Sequence, residues 1–269
     1  MSFAITGKTA IVTGSAAGIG LAIARHFLDK GANVMFADID ETRLDGECGI
    51  EAKAEGALRC FGGDLREKLT INNLLSATID AFDRVDILVN ASRQIRLSDP
   101  LNPDEDAVDL MLQQNLMTGL RLSQQTAKRM IVQAEKAGQT EGQIGSIINL
   151  SSLAATRTQP ELLGYSIATA AVEQMTRSLA VALAPKRIRV NAISFGSVMS
   201  GSLQTALKDA PDNRQIIAGG TPMHRIAAAE DLAETAQYLA SGASGFMTGQ
   251  IVLLDGGRSL IDPVAFAAH

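Results

Sequence analysis

Short apolar runs alternate with longer helical stretches along the whole chain, and this alternation limits the possible folds most. Lys8–Thr13, Asn33–Ala37, Leu58–Phe61, Asp86–Asn90, Ser146–Leu150, Arg187–Ile193 and Gln250–Leu254 read as strands. Between them, Ile19–Lys30, Glu41–Glu55, Arg66–Phe82, Asp106–Ala137, Tyr165–Ala184 and Glu230–Ala240 carry helical patterns. Strands that are apolar throughout, each followed by a helix, are covered on both faces and pair in parallel. Right-handed crossovers then produce a doubly wound sheet. The expectation is an α/β fold of about seven parallel strands with helices on both faces. No repeat or Pro/Ser-rich linker divides the 269 residues, so residues 1–269 are read as one domain. Two stretches are expected to be irregular: the polar turn Gly138–Gly145 and the long excursion Ser197–Pro222. The second is long enough to cover a site as a lid.

Composition narrows the function classes. Apolar residues make up 46% of the chain, enough for a large core. The net charge is −5 and the pI about 5.3. No clustered positive charge offers a nucleic-acid surface, and the acidity disfavours an anionic membrane. No run approaches the roughly 20 apolar residues of a membrane span. The opening MSFAITGKTAIVTG lacks the basic and apolar regions of a secretory signal. Cys48 and Cys60 are read as two reduced thiols, which suits a cytoplasmic protein. His26, His224 and His269 are far apart in sequence, so no metal site is expected.

Thr13-Gly14-Ser15-Ala16-Ala17-Gly18-Ile19-Gly20 joins the first strand to the first helix. Glycines there allow a tight turn and let backbone N–H groups approach a pyrophosphate at the helix N-terminus. The position, in a strand–turn–helix at the start of an α/β chain, marks a Rossmann-type dinucleotide site. Asp38 closes the second strand about twenty residues beyond the glycines, where an acid accepts from ribose hydroxyls and repels a 2′-phosphate. No Arg or Lys occurs in Ser15–Ala17 or directly after Asp38. The expected cofactor is therefore NAD rather than NADP.

These motifs resemble the short-chain dehydrogenase/reductase family, nearly end to end. The glycines follow its TGxxxGxG form, which implies cofactor contacts from Gly14, Ser15, Gly18, Ile19 and Gly20. Asp64-Leu65 resembles the pair that contacts adenine. Asn90 and Ala91 fall where the family's NNAG motif begins, and Asn115 falls at its helix asparagine. Ser152 and Tyr165 have the spacing of its catalytic serine and tyrosine. Asn191–Gly196 resembles the segment under the nicotinamide, with Gly196 and the Val198 backbone beside the carboxamide. Phe246–Gly257 resembles its closing strand. The resemblance implies hydride transfer between nicotinamide and a small alcohol or carbonyl. It also implies a homo-oligomer, expected as a tetramer built through Asp106–Ala137, Tyr165–Ala184 and Glu230–Leu254.

Three departures from the family pattern bear on activity. The lysine expected four residues after Tyr165 is Thr169. The NNAG motif reads Asn90-Ala91-Ser92-Arg93, with arginine for glycine. Phe195 replaces the usual proline before Gly196. By resemblance, Tyr165 is the general acid/base, Ser152 holds the substrate oxygen and Asn115 holds a water on the proton path. A phenol near pKa ~10 is a poor base at neutral pH, and the missing lysine normally supplies a compensating charge. Thr169 offers a hydrogen bond but no charge. Arg93 is therefore weighed either as a cation pointing toward Tyr165 or the nicotinamide ribose, or as a solvent-facing loop residue. Three readings remain open: an active dehydrogenase with a repositioned cation, a catalytically impaired NAD-binding protein with a binding or assembly role, or an isomerase or lyase on the same fold. Leu153–Thr156, Glu161–Gly164 and the lid are expected to line the substrate pocket, with Arg157 and His224 as possible carboxylate partners.

Overall fold

The computed structural model describes residues 3–49, 56–262 and 264. One sheet contains β1 (Thr9–Thr13), β2 (Asn33–Asp38), β3 (Leu58–Gly62), β4 (Ile87–Asn90), β5 (Gly145–Ser152), β6 (Ile188–Phe195) and β7 (Ile251–Leu254). The order is β3-β2-β1-β4-β5-β6-β7, and every pair is parallel. This is the single-domain, doubly wound α/β architecture expected from the alternation.

Strand pleating divides the core in two. Ala10 and Val12, Val34 and Phe36, and Ile87 and Val89 face one side, where they meet Ile19, Ile23 and Phe27 of α1 (Gly18–Asp29) and Leu232, Ala236 and Leu239 of α9 (Ala229–Ala240). Ile11, Met35 and Leu88 face the other side, against Leu74 and Leu75 of α3 (Lys68–Phe82) and Leu122 and Met130 of α5 (Thr118–Lys136). Because successive side chains point to opposite faces, a strand apolar at every position needs helices on both sides. Arg189, on β6, is the notable polar exception. It is buried and donates to the Leu239 and Ser241 carbonyls at the end of α9, and burial pushes its pKa down to about 10.

Several expectations are corrected. The helix expected over Asp106–Ala137 is not uniform: α4 (Val108–Met111) passes into a π-helical segment, Leu112–Met117, before α5. Such a segment adds a residue to the turn and rotates side chains relative to an α-helix, and it is common at functional sites. The excursion Ser197–Pro222 is largely helical, folding into α7 (Gly201–Asp209), capped by the Ser200 side chain, and α8 (Asp212–Gly219). The helix expected over Glu41–Glu55 is α2 (Glu41–Cys48), followed by Gly49 at φ 49°; residues 50–55 lie outside the described chain.

Cys48 and Cys60 form a disulfide, with a Cα–Cα distance of 6.6 Å, instead of two separate reduced thiols. α2 packs on β3, so residues twelve apart in sequence become neighbours. Among the described residues, no helix is long and apolar enough to cross a membrane.

Leu88 is completely buried in the central strand β4, whereas Leu69 on α3 is 70% exposed. Leu88→Ala is expected to lower the unfolding free energy by about 2–5 kcal/mol, and Leu69→Ala by no more than about 0.5 kcal/mol, in denaturant titrations.

Candidate active site

The chain leaves β3 and crosses beneath the sheet to β4, on the far side of β1. The Ala10–Ile87, Ile11–Leu88 and Val12–Val89 register brings the ends of β1 and β4 level. Loops from adjacent parallel strands diverge here, opening a crevice at the carboxyl ends. A groove of about 800 Å³ occupies it, lined by Gly14, Gly18, Gly20, Asp38, Leu65 and Ser92, among others.

The glycine turn fits a dinucleotide phosphate. Gly14 has φ +66°, and a Cβ there would lie 2.8 Å from the Ser92 Cα, so the two loops can approach only without that side chain. Ala17, the residue before α1, makes no side-chain cap. The first N–H groups of α1 therefore face an environment suited to an anion. Ser15 is buried under the turn and bonds the Ala37 carbonyl.

Asp38 braces this region. Its carboxylate accepts from the Ala16 N–H at 2.9 Å and the Asp40 N–H at 3.0 Å. Arg43 also lines the groove, and its guanidinium lies 3.4 Å from Asp40. Asp64 pairs with Arg66, whose hydrogen bonds hold the carboxyl below the usual carboxylate range. Leu65 is buried beside it in the groove wall.

Thr13, at the head of the glycine turn, holds the β4 loop in place. Its Oγ1 accepts from both the Ala91 and Ser92 N–H groups at 3.0 Å. Asn90 turns away from the groove: its amide donates to Ser123 and Asn149, and Asn149 in turn donates to Thr176. Asn115 sits in the π-helical segment, where its side chain accepts from the Gln94 N–H and donates to the Gln94 carbonyl, both at 2.8 Å. Both of its polar ends thus clasp the β4 loop. Those partners come from separate elements, so spacing in sequence did not reveal them.

Tyr165 lies in the first turn of α6 (Leu163–Leu183) and is 2% exposed. The Arg93 guanidinium donates to its hydroxyl at 2.7 Å. The same guanidinium lies 4.4 Å from the ring centroid of Phe195, at the end of β6. Arg93 and Phe195 therefore touch each other, and the arginine points inward rather than to solvent.

Thr169 is buried one helical turn after Tyr165. Its hydroxyl is directed to the Tyr165 and Ser166 carbonyls, one helical turn back. A β-branched hydroxyl in a helix readily makes this bond. Ser152 Oγ accepts from the Ala154 N–H at 3.2 Å, capping a short turn.

Farther along the cleft, Gly196 donates to the Leu254 carbonyl, and Val198 bridges to Ala227. Arg157, considered as a carboxylate partner, donates to the Ser259 carbonyl and fixes the turn after β7. His224 adopts φ 50° in the turn closing the helical excursion.

The chain is similar to known proteins over nearly its whole length. The family model described as enoyl-(acyl carrier protein) reductase matches residues 14–259. An NAD-dependent glycerol dehydrogenase from Listeria innocua is 31% identical over 260 residues, covering 96% of each chain. A gluconate 5-dehydrogenase from Burkholderia cenocepacia, solved with NADP and tartrate, superposes with a TM-score of 0.84 at 26% identity, covering 97% of this chain and 98% of that one. A short-chain dehydrogenase/reductase from Caenorhabditis elegans, solved with cofactor, gives 0.83 at 28% identity over 96% and 97%. The matched segment spans the glycine turn, the Tyr165 helix and the closing strand, and the chain belongs to the short-chain dehydrogenase/reductase family.

Proposed function

We propose that the chain is an NAD(H)-dependent oxidoreductase acting on a small alcohol or carbonyl compound. The observation that carries this reading is the continuity of the cleft. Ser92 and Arg93 line both the glycine-walled groove and the inner pocket that contains Tyr165. Gly14, Ser15, Gly18, Ile19 and Gly20 would hold the pyrophosphate, Asp38 the adenosine ribose, and Asp64 and Leu65 the adenine. Ala91, Gly196 and Val198 would flank the nicotinamide half. Asn90 would contribute through its backbone, since its amide is turned into the helix–sheet network.

The bound nicotinamide supplies a hydride acceptor or donor for the substrate carbon. The chain's own task is to move the accompanying proton and exclude water. Tyr165 receives the hydroxyl proton during oxidation and returns it during reduction. Ser152 orients the substrate oxygen. Asn115 keeps the β4 loop in place through Gln94. Residues 197–222, folded as α7 and α8, act as the substrate lid; Ser200, Gly201 and Thr205 already line the groove. The reading includes a homotetramer, with exposed Val132, Val181, Phe246 and Leu253 supplying apolar surface for contacts between subunits.

NADH should bind at least about tenfold more tightly than NADPH in calorimetric titrations, since like charges about 4 Å apart cost roughly 1–4 kcal/mol. Asp38→Ser should narrow that gap. NADPH binding more tightly than NADH would overturn the cofactor assignment.

Tyr165→Phe should lower turnover at least about a hundredfold, the usual contribution of general acid–base catalysis, while NADH affinity changes little. Assays should use a panel of polyols, hydroxy acids and ketones. If no member is turned over by the parent while NADH binds, the non-catalytic, cofactor-binding reading takes its place.

A further inference from the structure

The inner pocket beside Tyr165 has one remaining source of positive charge. Its described lining contains Thr13, Asn90, Asn115, Asn149 and Thr169, and its ionisable members are Arg93 and Tyr165. Glu173, about two turns farther along α6, is not part of that lining: it accepts from Ser151 at 3.0 Å and lies 3.7 Å from Arg177.

The position of Arg93 is built rather than incidental. On its N-terminal side, the Ala91 and Ser92 N–H groups are held by Thr13. On its C-terminal side, both polar groups of the Gln94 backbone are held by Asn115. Its guanidinium then rests on the face of Phe195, which is 1% exposed, and donates to the Tyr165 hydroxyl. Fixing the loop on both sides leaves the side chain few alternatives. A flat aromatic face accommodates a planar guanidinium better than a proline ring would.

We propose that Arg93, seated on Phe195 and bonded to the Tyr165 hydroxyl, is the cation of this active site and does from the β4 loop what a lysine at position 169 would do from α6. The proposal rests on the oxidoreductase reading for its role in turnover, but the Arg93–Tyr165 coupling is measurable without substrate. Arg93 acts through Tyr165 as a positioning and charge-stabilising residue. In oxidation, the alcohol proton passes to the phenolate oxygen. The guanidinium keeps its own protons throughout, because it does not deprotonate in proteins. Its N–H donates to the Tyr165 oxygen with its charge beside it, and the fixed N–H orients the oxygen lone pair.

The chain's composition gives a direct readout. It has two tyrosines, Tyr165 and Tyr238, and no tryptophan. In a Tyr238→Phe background, which keeps the ring beside Phe3, near-ultraviolet phenolate absorbance reports Tyr165 alone. Arg93→Met in that background should move the appearance of phenolate to higher pH, and Arg93→Lys should restore much of the difference. In the otherwise native chain, Arg93→Met should lower kcat/KM at neutral pH on the order of tenfold to a hundredfold, and the pH at which oxidation activity rises should increase. Adding Thr169→Lys to Arg93→Met should recover activity, while adding it to the parent should help little. That non-additivity identifies one shared task.

An unchanged phenolate titration in Arg93→Met overturns the proposal. So does higher activity in Arg93→Met, which would mean that the guanidinium merely blocks the cleft. Should the Thr169→Lys variant fail to fold in its tight helical setting, the Arg93→Met and Arg93→Lys titrations still decide. If Tyr165→Phe leaves turnover intact while the titration shifts as expected, the oxidoreductase mechanism fails and the Arg93–Tyr165 coupling stands.

Discussion

The site depends on β1 and β4 ending side by side in the middle of a parallel sheet. Their register fixes Thr13 next to the start of the β4 loop, and one threonine hydroxyl ties the two loops together. Because the strand order reverses between β1 and β4, the chain leaves β1 for one face of the sheet and β4 for the other, and the two loops diverge. A groove between them is unavoidable. What the groove can hold depends on how closely the backbones approach, and Gly14 is the residue that allows that approach against Ser92.

Around this crevice, polar side chains are matched to backbone groups from distant elements. Asn115 reaches the β4 loop from the π-helical segment, and Asn90 links to Asn149 and Thr176 across β5 and α6. Buried polar groups left unpaired are costly, on the order of 1–3 kcal/mol each, so such chains specify one arrangement of loops. The π-helical register is consistent with this demand, since it aims Asn115 at Gln94. Arg93 is the consequence with chemical interest. Its hydrogen bond to Tyr165 is charge-assisted, and its contact with Phe195 adds roughly 0.5–2 kcal/mol of cation–π attraction. Thr169, meanwhile, bonds its hydroxyl to the preceding turn of α6.

The same close packing explains which sequence readings needed correction. Apolar patterning over Asp106–Ala137 did not reveal the π-helical segment, which is confined to Leu112–Met117 between two α-helical stretches. The excursion after β6 contains glycines and polar residues, which read as irregular, yet α7 and α8 form there with a Ser200 cap at the first. Cys48 and Cys60 carry no pairing signal in sequence. Only the packing of α2 on β3 makes them neighbours.

By itself, the sequence determined the sheet, the strand–helix alternation, the glycine turn and the family. Each is encoded locally, in a run of apolar residues or a spacing that a single backbone geometry satisfies. It also marked Thr169, Arg93 and Phe195 as departures, without stating their relation. Only the tertiary structure decided that two of them form one contact. Arg93 lies 72 residues from Tyr165 and 102 from Phe195 in sequence, and the direction of a long, flexible guanidinium is set by the partners that packing supplies, here an aromatic face and a buried phenol.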